Sequence, residues 1–150
     1  MPWKAINEED LRGVISDDES NAVRSGAAAA AGENDPFVTA QAHVTASFRG
    51  AIRSGPGNRL DADESTLPEA AIFHAAVKIR QRLFTRYAPE LLDDDKRQEQ
   101  KDAGDWLKDV RRGIEKIEQP DDGPGETNQP AIKVLSKNER QATRDNLKGL

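Results

Sequence analysis

The tightest limit on this chain is its shortage of large apolar side chains. Leu, Ile, Val and Phe fill 29 of its 150 positions, while Ala alone fills 20. Burial must outweigh the entropy lost on ordering each residue, and so few bulky side chains cannot do so along the whole length. A compact core is therefore expected over part of the sequence, with the rest solvated or ordered by a partner. The length suits one domain. No apolar run approaches the roughly 18 residues needed to cross a bilayer, so no membrane partner is expected. The N-terminus lacks the basic-then-apolar pattern of a secretory signal. Without Cys there is no disulfide frame, thiolate metal site or Cys nucleophile, and the expected compartment is cytosolic. A net charge of -5 speaks against nucleic-acid binding by bulk electrostatics.

Helix signals divide the first 120 residues. Asn7 is placed to cap a short helix, with Glu8, Glu9 and Asp10 in its positive first turn and Trp3 and Ile6 ahead of it as a hydrophobic staple. Asp17 to Gly32 permits a helix but is bracketed by Gly26 and Gly32, so its state is open. Asp35 caps a second helix, with Pro36 in the first position, where no donor is lost. Phe37, Ala40, Val44, Phe48, Ala51 and Ile52 then recur at helical spacing until the breaker cluster Ser54-Gly55-Pro56-Gly57-Asn58. Leu67 and Pro68 are read as opening a third helix. Its stripe is Ile72, Ala76, Ile79, Leu83 and Tyr87, widened by Phe73, Ala75 and Phe84, and Pro89 ends it. A fourth helix starts within Asp93 to Asp95, presents Ala103, Trp106, Leu107, Val110 and Ile114, is loosened by Gly113 and stops at Pro120.

Composition changes at Pro120-Asp121-Asp122-Gly123-Pro124-Gly125, which reads as a linker. Ala131-Ile132-Lys133-Val134-Leu135 is one short strand-like run, and Ser136 with Glu139 has capping-box spacing. Residues 120–150 are expected to form an arm that orders only on a partner.

Chemistry-bearing patterns are sparse. His43 and His74 sit on separate helices, without the spacing that sets two metal ligands on one face. Asp61-Ala62-Asp63-Glu64-Ser65 begins like a calcium loop, but Thr66 stands where the turn needs Gly and Ile72 where a bidentate Glu belongs. Ser54-Gly55-Pro56-Gly57-Asn58-Arg59 has no phosphate-loop spacing and follows a helix. Asp93-Asp94-Asp95 reads as a helix start rather than a chelator. No Ser lies in a nucleophile-elbow context. No catalytic residue, metal or cofactor is expected.

The third helix carries Lys78, Arg80, Arg82 and Arg86 against one early acid, Glu69, in an otherwise acidic protein. This is either a solvated face paired with the acids of the first and fourth helices, or a surface for an acidic partner or a phosphate backbone. Exposed aromatics are not interleaved with the cations, which disfavours specific nucleic-acid readout. Trp106 is read as core. Trp3 packs either on its own fourth helix or on a neighbouring subunit.

A series of short matches runs through the chain: Met1-Pro2-Trp3 with Asp10-Leu11, Asp35-Pro36 and Val44, Phe48-Arg49-Gly50, Leu60, Thr66-Leu67-Pro68-Glu69 and Arg82-Leu83-Phe84-Thr85-Arg86. Leu91-Leu92, Lys101-Asp102-Ala103, Trp106-Leu107-Lys108-Asp109-Val110 and Gly113 complete it. In order and spacing, over about residues 1–120, this resembles the head–tail connector proteins (adaptor or head-completion proteins) of long-tailed bacteriophages, in the Mu-like prophage branch. The resemblance implies a small helical virion subunit without enzymatic activity or cofactor. Such subunits form a ring, twelvefold like the portal, at the head–tail interface, after assembly in the host cytoplasm. The ring binds the portal protein, extends the DNA channel without reading sequence, and receives the tail or its stopper or tail-terminator protein.

The combined expectation is an all-α fold: a bundle of about four helices over 1–119 and an extended C-terminal arm, 120–150, containing one short strand. Intersubunit or portal contacts are assigned to Trp3, Arg80, Arg82, Arg86, Arg111 and Arg112, and in the arm to Ile132, Val134 and Leu135. The alternative is a small helical regulatory or nucleic-acid-binding protein using the basic third helix.

Overall fold

The computed structural model describes residues 3–29 and 35–121. The fold is all-α with one small ribbon: β1 (Trp3–Ala5), α1 (Glu8–Arg12), α2 (Asp17–Ala29), α3 (Pro36–Ser54), β2 (Thr66–Pro68), α4 (Glu69–Tyr87), a 3-10 turn at Pro89–Leu91, and α5 (Asp94–Arg112). The strand-like run at 131–135, with Ile132, Val134 and Leu135, lies outside the described residues.

The caps act where the sequence placed them. Asn7 accepts from the Asp10 N–H at 2.8 Å, and the Asp10 carboxylate accepts from the Asn7 N–H at 3.0 Å, closing a capping box. Asp35 accepts from the Phe37 N–H at 2.9 Å, and Asp93 from the Lys96 N–H at 2.8 Å. Segment 17–29, left open by sequence, is a helix. Ser16 and Glu19 start it with reciprocal bonds, Ser16 N–H to Glu19 Oε2 at 2.9 Å and Glu19 N–H to Ser16 Oγ at 3.3 Å. Gly26 is the contact point of this helix: a Cβ there would sit 2.3 Å from the Tyr87 carbonyl oxygen. The Gly therefore permits close approach of α2 to the end of α4, and does not break the helix.

α4 is the hub and packs against α1, α2, α3 and α5. Ala71, Ala75 and Ala76 are fully buried beside Val77, Ile79, Leu83 and Phe84. Small residues let the surrounding helices come close to the α4 backbone, so a thin supply of bulky side chains still fills the centre. Phe48, Ile52 and Val110 complete that centre from α3 and α5. Each large side chain buried there contributes about 1.5–3 kcal/mol.

Three expectations are corrected. Leu67 and Pro68 do not open a helix. They are extended and pair antiparallel with the N-terminus, Trp3 opposite Pro68 and Ala5 opposite Thr66. Pro disfavours helical geometry in the residue before it, which leaves Leu67 suited to a strand. Phe73 stands outside the packed stripe at 55% exposure. Ile114 is exposed as well, because α5 ends at Gly113, whose φ of +73° is the left-handed C-cap that Gly adopts readily.

Beyond Gly113 the chain forms a strap back across the β-ribbon end. Ile117 and Pro120 are buried, the Trp3 indole N–H donates to the Glu118 carbonyl at 3.0 Å, and the Arg59 N–H donates to Gln119 Oε1 at 2.9 Å. Trp3 is thus packed within its own chain, on the segment after α5. That removes it from the expected set of intersubunit residues.

Candidate functional site

The row Lys78, Arg82 and Arg86 repeats every four residues, so the three cations lie along one face of α4. Arg80 leaves that row. It falls four residues after Ala76 and three before Leu83, on the apolar stripe, and is buried. Its guanidinium donates to the Val14 carbonyl at 3.1 Å and to the Glu99 carboxylate. Arg80 therefore fastens α4 to the α1–α2 turn and to α5, and its assignment to an interface is withdrawn. Burial of both donor groups against an acceptor explains the change: a desolvated guanidinium must be paired internally.

Arg82 is exposed and lines a groove of about 540 Å³ between α3, α4 and α5. Val44, Phe48 and Leu107 give it an apolar floor; Ser47 and Thr85 place hydroxyls on its walls, and His43 and Lys78 join Arg82 as basic groups. Among the described residues lining it there is no Asp or Glu. That is unusual for a chain in which acids outnumber Lys and Arg 27 to 22.

Lys78 is the most constrained of these cations. It is half-buried, and its ammonium donates to the Gln100 carbonyl at 3.0 Å rather than to a carboxylate. It crosses α5 at Gly104, where a Cβ would lie 3.3 Å from Nζ. Burial, followed by repulsion from Lys108, pushes its pKa below the ordinary lysine value, against a smaller opposing pull from Asp105. A nearby carboxylate from outside would reverse that cost.

An aromatic row runs from the groove floor to the outside. Phe48 stacks on Trp106 with centroids 6.4 Å apart, Trp106 on His74 at 4.5 Å, and His74 meets Phe73 edge-on at 5.7 Å. Burial lowers the His74 pKa, with Glu115 and Asp102 acting in the opposite sense. The ring serves as a neutral stacking member.

Of the remaining expected residues, Arg86 is exposed over its neighbour Tyr87, 5.2 Å from the ring centroid. Arg111 and Arg112 are exposed on the last turn of α5, where they favour the helix dipole, and they do not line the groove. A second depression, about 550 Å³ between α1, α2 and α3, mixes Glu8, Asp17 and Asp35 with Arg12 and Arg24 and has no single sign of charge.

The acidic loop is a turn built around a cation. Asp63 Oδ1 accepts from the Ser65 N–H at 2.8 Å and from the Ser65 hydroxyl at 2.7 Å. The buried Arg49 guanidinium donates to the carbonyls of Asp61, Asp63 and Thr66 at 2.7–2.8 Å and lies 5.8 Å from the Trp3 ring centroid. No group of three or more His, Cys, Asp or Glu is arranged to hold a metal ion among the described residues. No described helix is long and apolar enough to cross a membrane. Comparison with family models, curated proteins and solved structures returns no match.

Proposed function

We propose that this chain is a structural subunit of a bacteriophage head–tail connector, a ring component that docks on a portal and receives a tail. The observation that carries the reading concerns the residues of the resemblance. Trp3, Arg49 and the run Thr66-Leu67-Pro68 are three segments far apart in sequence, yet they meet in one knot: Arg49 bonds the Thr66 carbonyl and faces the Trp3 ring, and Trp3 pairs with Pro68. Scattered matches that converge in space behave as the determinants of one fold, which is what a shared architecture requires. The separation of a basic groove from acidic helix starts also suits a subunit that joins copies head to tail, a contact that forms a ring when the rotation between copies closes.

In this reading the arm grips the portal through Ile132, Val134 and Leu135. The test is co-sedimentation of the full-length chain with purified portal rings of Mu-like phages. The wild-type chain is expected to bind. A full-length variant carrying Ile132→Asp, Val134→Asp and Leu135→Asp is expected to lose binding while keeping its helical circular dichroism. Absence of wild-type binding sinks the connector reading. Undiminished binding by the variant removes the arm from the portal contact. A filter-binding titration at two salt concentrations addresses the nucleic-acid alternative, which requires salt-sensitive DNA affinity.

A further inference from the structure

We infer that the groove between α3, α4 and α5 receives the acidic corner of a second copy of this chain, formed by the first turns of α2 and α5. The inference deepens the connector reading, because it names the surfaces by which subunits would join.

The corner is assembled by Lys96. Its ammonium lies 3.2 Å from Glu19 Oε1 and 2.7 Å from Asp93 Oδ2, which draws the starts of α2 and α5 together. Asp17, Asp18, Asp94 and Asp95 are exposed in those two first turns, Asp17 on the side that borders the depression between α1, α2 and α3. Arg97 reaches Asp94 at 3.4 Å, and no described cation comes within ion-pair distance of Asp17, Asp18 or Asp95.

The groove is the complement. Arg82 and half-buried Lys78 stand over an apolar floor with no lining carboxylate, and neither cation is within ion-pair distance of a described acid. Lys78 is half-buried, so part of its desolvation is already in place and a carboxylate arriving there gains attraction at reduced further cost. Two chains of net charge -5 repel at long range. A contact that sets the acid of one copy on a basic patch of the other offsets that repulsion, and this groove is such a patch. Because donor and acceptor are different surfaces, the contact can run head-to-tail from copy to copy, and it closes into a ring where the rotation between copies permits.

The absence of Cys makes a clean test possible. Ser47→Cys marks the groove, and Asn21→Cys marks the corner one turn beyond Asp17 without altering its charge; both positions are exposed. The two full-length variants are mixed at low salt and treated with a short bismaleimide. A linked dimer is expected in about tenfold excess over either variant alone, and over Ser47→Cys mixed with Lys116→Cys. Adding Arg82→Glu to the groove variant is expected to lower the yield about tenfold, and adding Asp17→Lys and Asp18→Lys to the corner variant then restores it. Yield equal to the Lys116→Cys control, or yield indifferent to charge reversal, overturns the inference. Portal co-sedimentation reads the connector proposal separately. A chain that binds the portal but gives no groove-to-corner link keeps the connector and loses this interface. A link without portal binding does the reverse.

Discussion

The two ends of α4 are secured in different ways. Where α4 begins, one buried cation, Arg49, bonds only to main-chain carbonyls, and the β-ribbon, the 55–65 loop and the strap close over it. Where α4 ends and α5 starts, buried Arg80 holds the interior through Val14 and Glu99, and the rim is tied by a helix contact at Gly26 and a shared ammonium, Lys96, whose partners Glu19 and Asp93 reach solvent. A buried hydrogen-bonded cation is costly to disturb, because every acceptor it leaves stays desolvated. An ion pair at the rim is replaced by water at little cost. The first end is therefore the fixed part of the fold, and the second is free to carry charge for a partner.

The largest expected effect follows from the first end. Arg49→Met keeps the stem but leaves the carbonyls of Asp61, Asp63 and Thr66 without their donor. A loss of about 3 kcal/mol in unfolding free energy is expected by urea titration. A loss below about 1 kcal/mol would mean that water replaces the guanidinium, and the contrast between the ends would disappear.

Gly26→Ala sharpens the contrast through its sign. Helix propensity alone favours Ala by about 1 kcal/mol. The new Cβ, however, would sit 2.3 Å from the Tyr87 carbonyl oxygen, and overpacking of this kind costs about 1–3 kcal/mol. Net destabilisation of about 1 kcal/mol is expected in the same titration. Net stabilisation would show that α2 yields easily and that this end is looser than its geometry implies.

Most of the bundle was legible because its signals are local. Asp35-Pro36 and Asp93 mark helix starts by capping chemistry that depends on few neighbours, whereas the expected stop of the fourth helix at Pro120 is corrected, because Gly113 already caps α5 after Arg112. The ribbon was not, because Leu67-Pro68 becomes a strand only when residues 3–5 arrive from more than sixty positions away. Gly26 misled for the same reason, since its role is set by Tyr87 and not by its own helix. In the candidate site, Arg82, expected at a partner surface, is exposed. Arg80 could have been separated from it by spacing alone, as it shares the apolar stripe with Ala76 and Leu83. The groove itself needed tertiary structure, because Ser47, Lys78 and Gln100 come from three helices.

The smallest expected effect belongs to Lys96, and its pH dependence is the finer test. Lys96→Met keeps the stem against Phe84 and removes the ammonium that lies 5.9 Å from that ring centroid. A fall in Tm of no more than about 4 °C is expected near neutral pH, because the pair is partly solvated. The Asp93 hydrogen bond, helped by Glu19, raises the Lys96 pKa above 10.5. Its stabilisation is therefore full below that value and fades as pH rises through the raised one. Lys96, with the Lys96 N–H, holds Asp93 below 3.8. Burial works to raise Glu19, but the Ser16 N–H and Lys96 outweigh it and hold Glu19 below 4.5. The acids' share is present above those ordinary values and is lost as pH falls through the lowered ones. The difference in Tm between wild type and Lys96→Met should thus be widest from about pH 5 to pH 10 and narrow on either side. A difference that persists unchanged at pH 2.5 would mean that Lys96 acts through packing alone. The acidic corner would then be held by something other than the charge that draws α2 and α5 together.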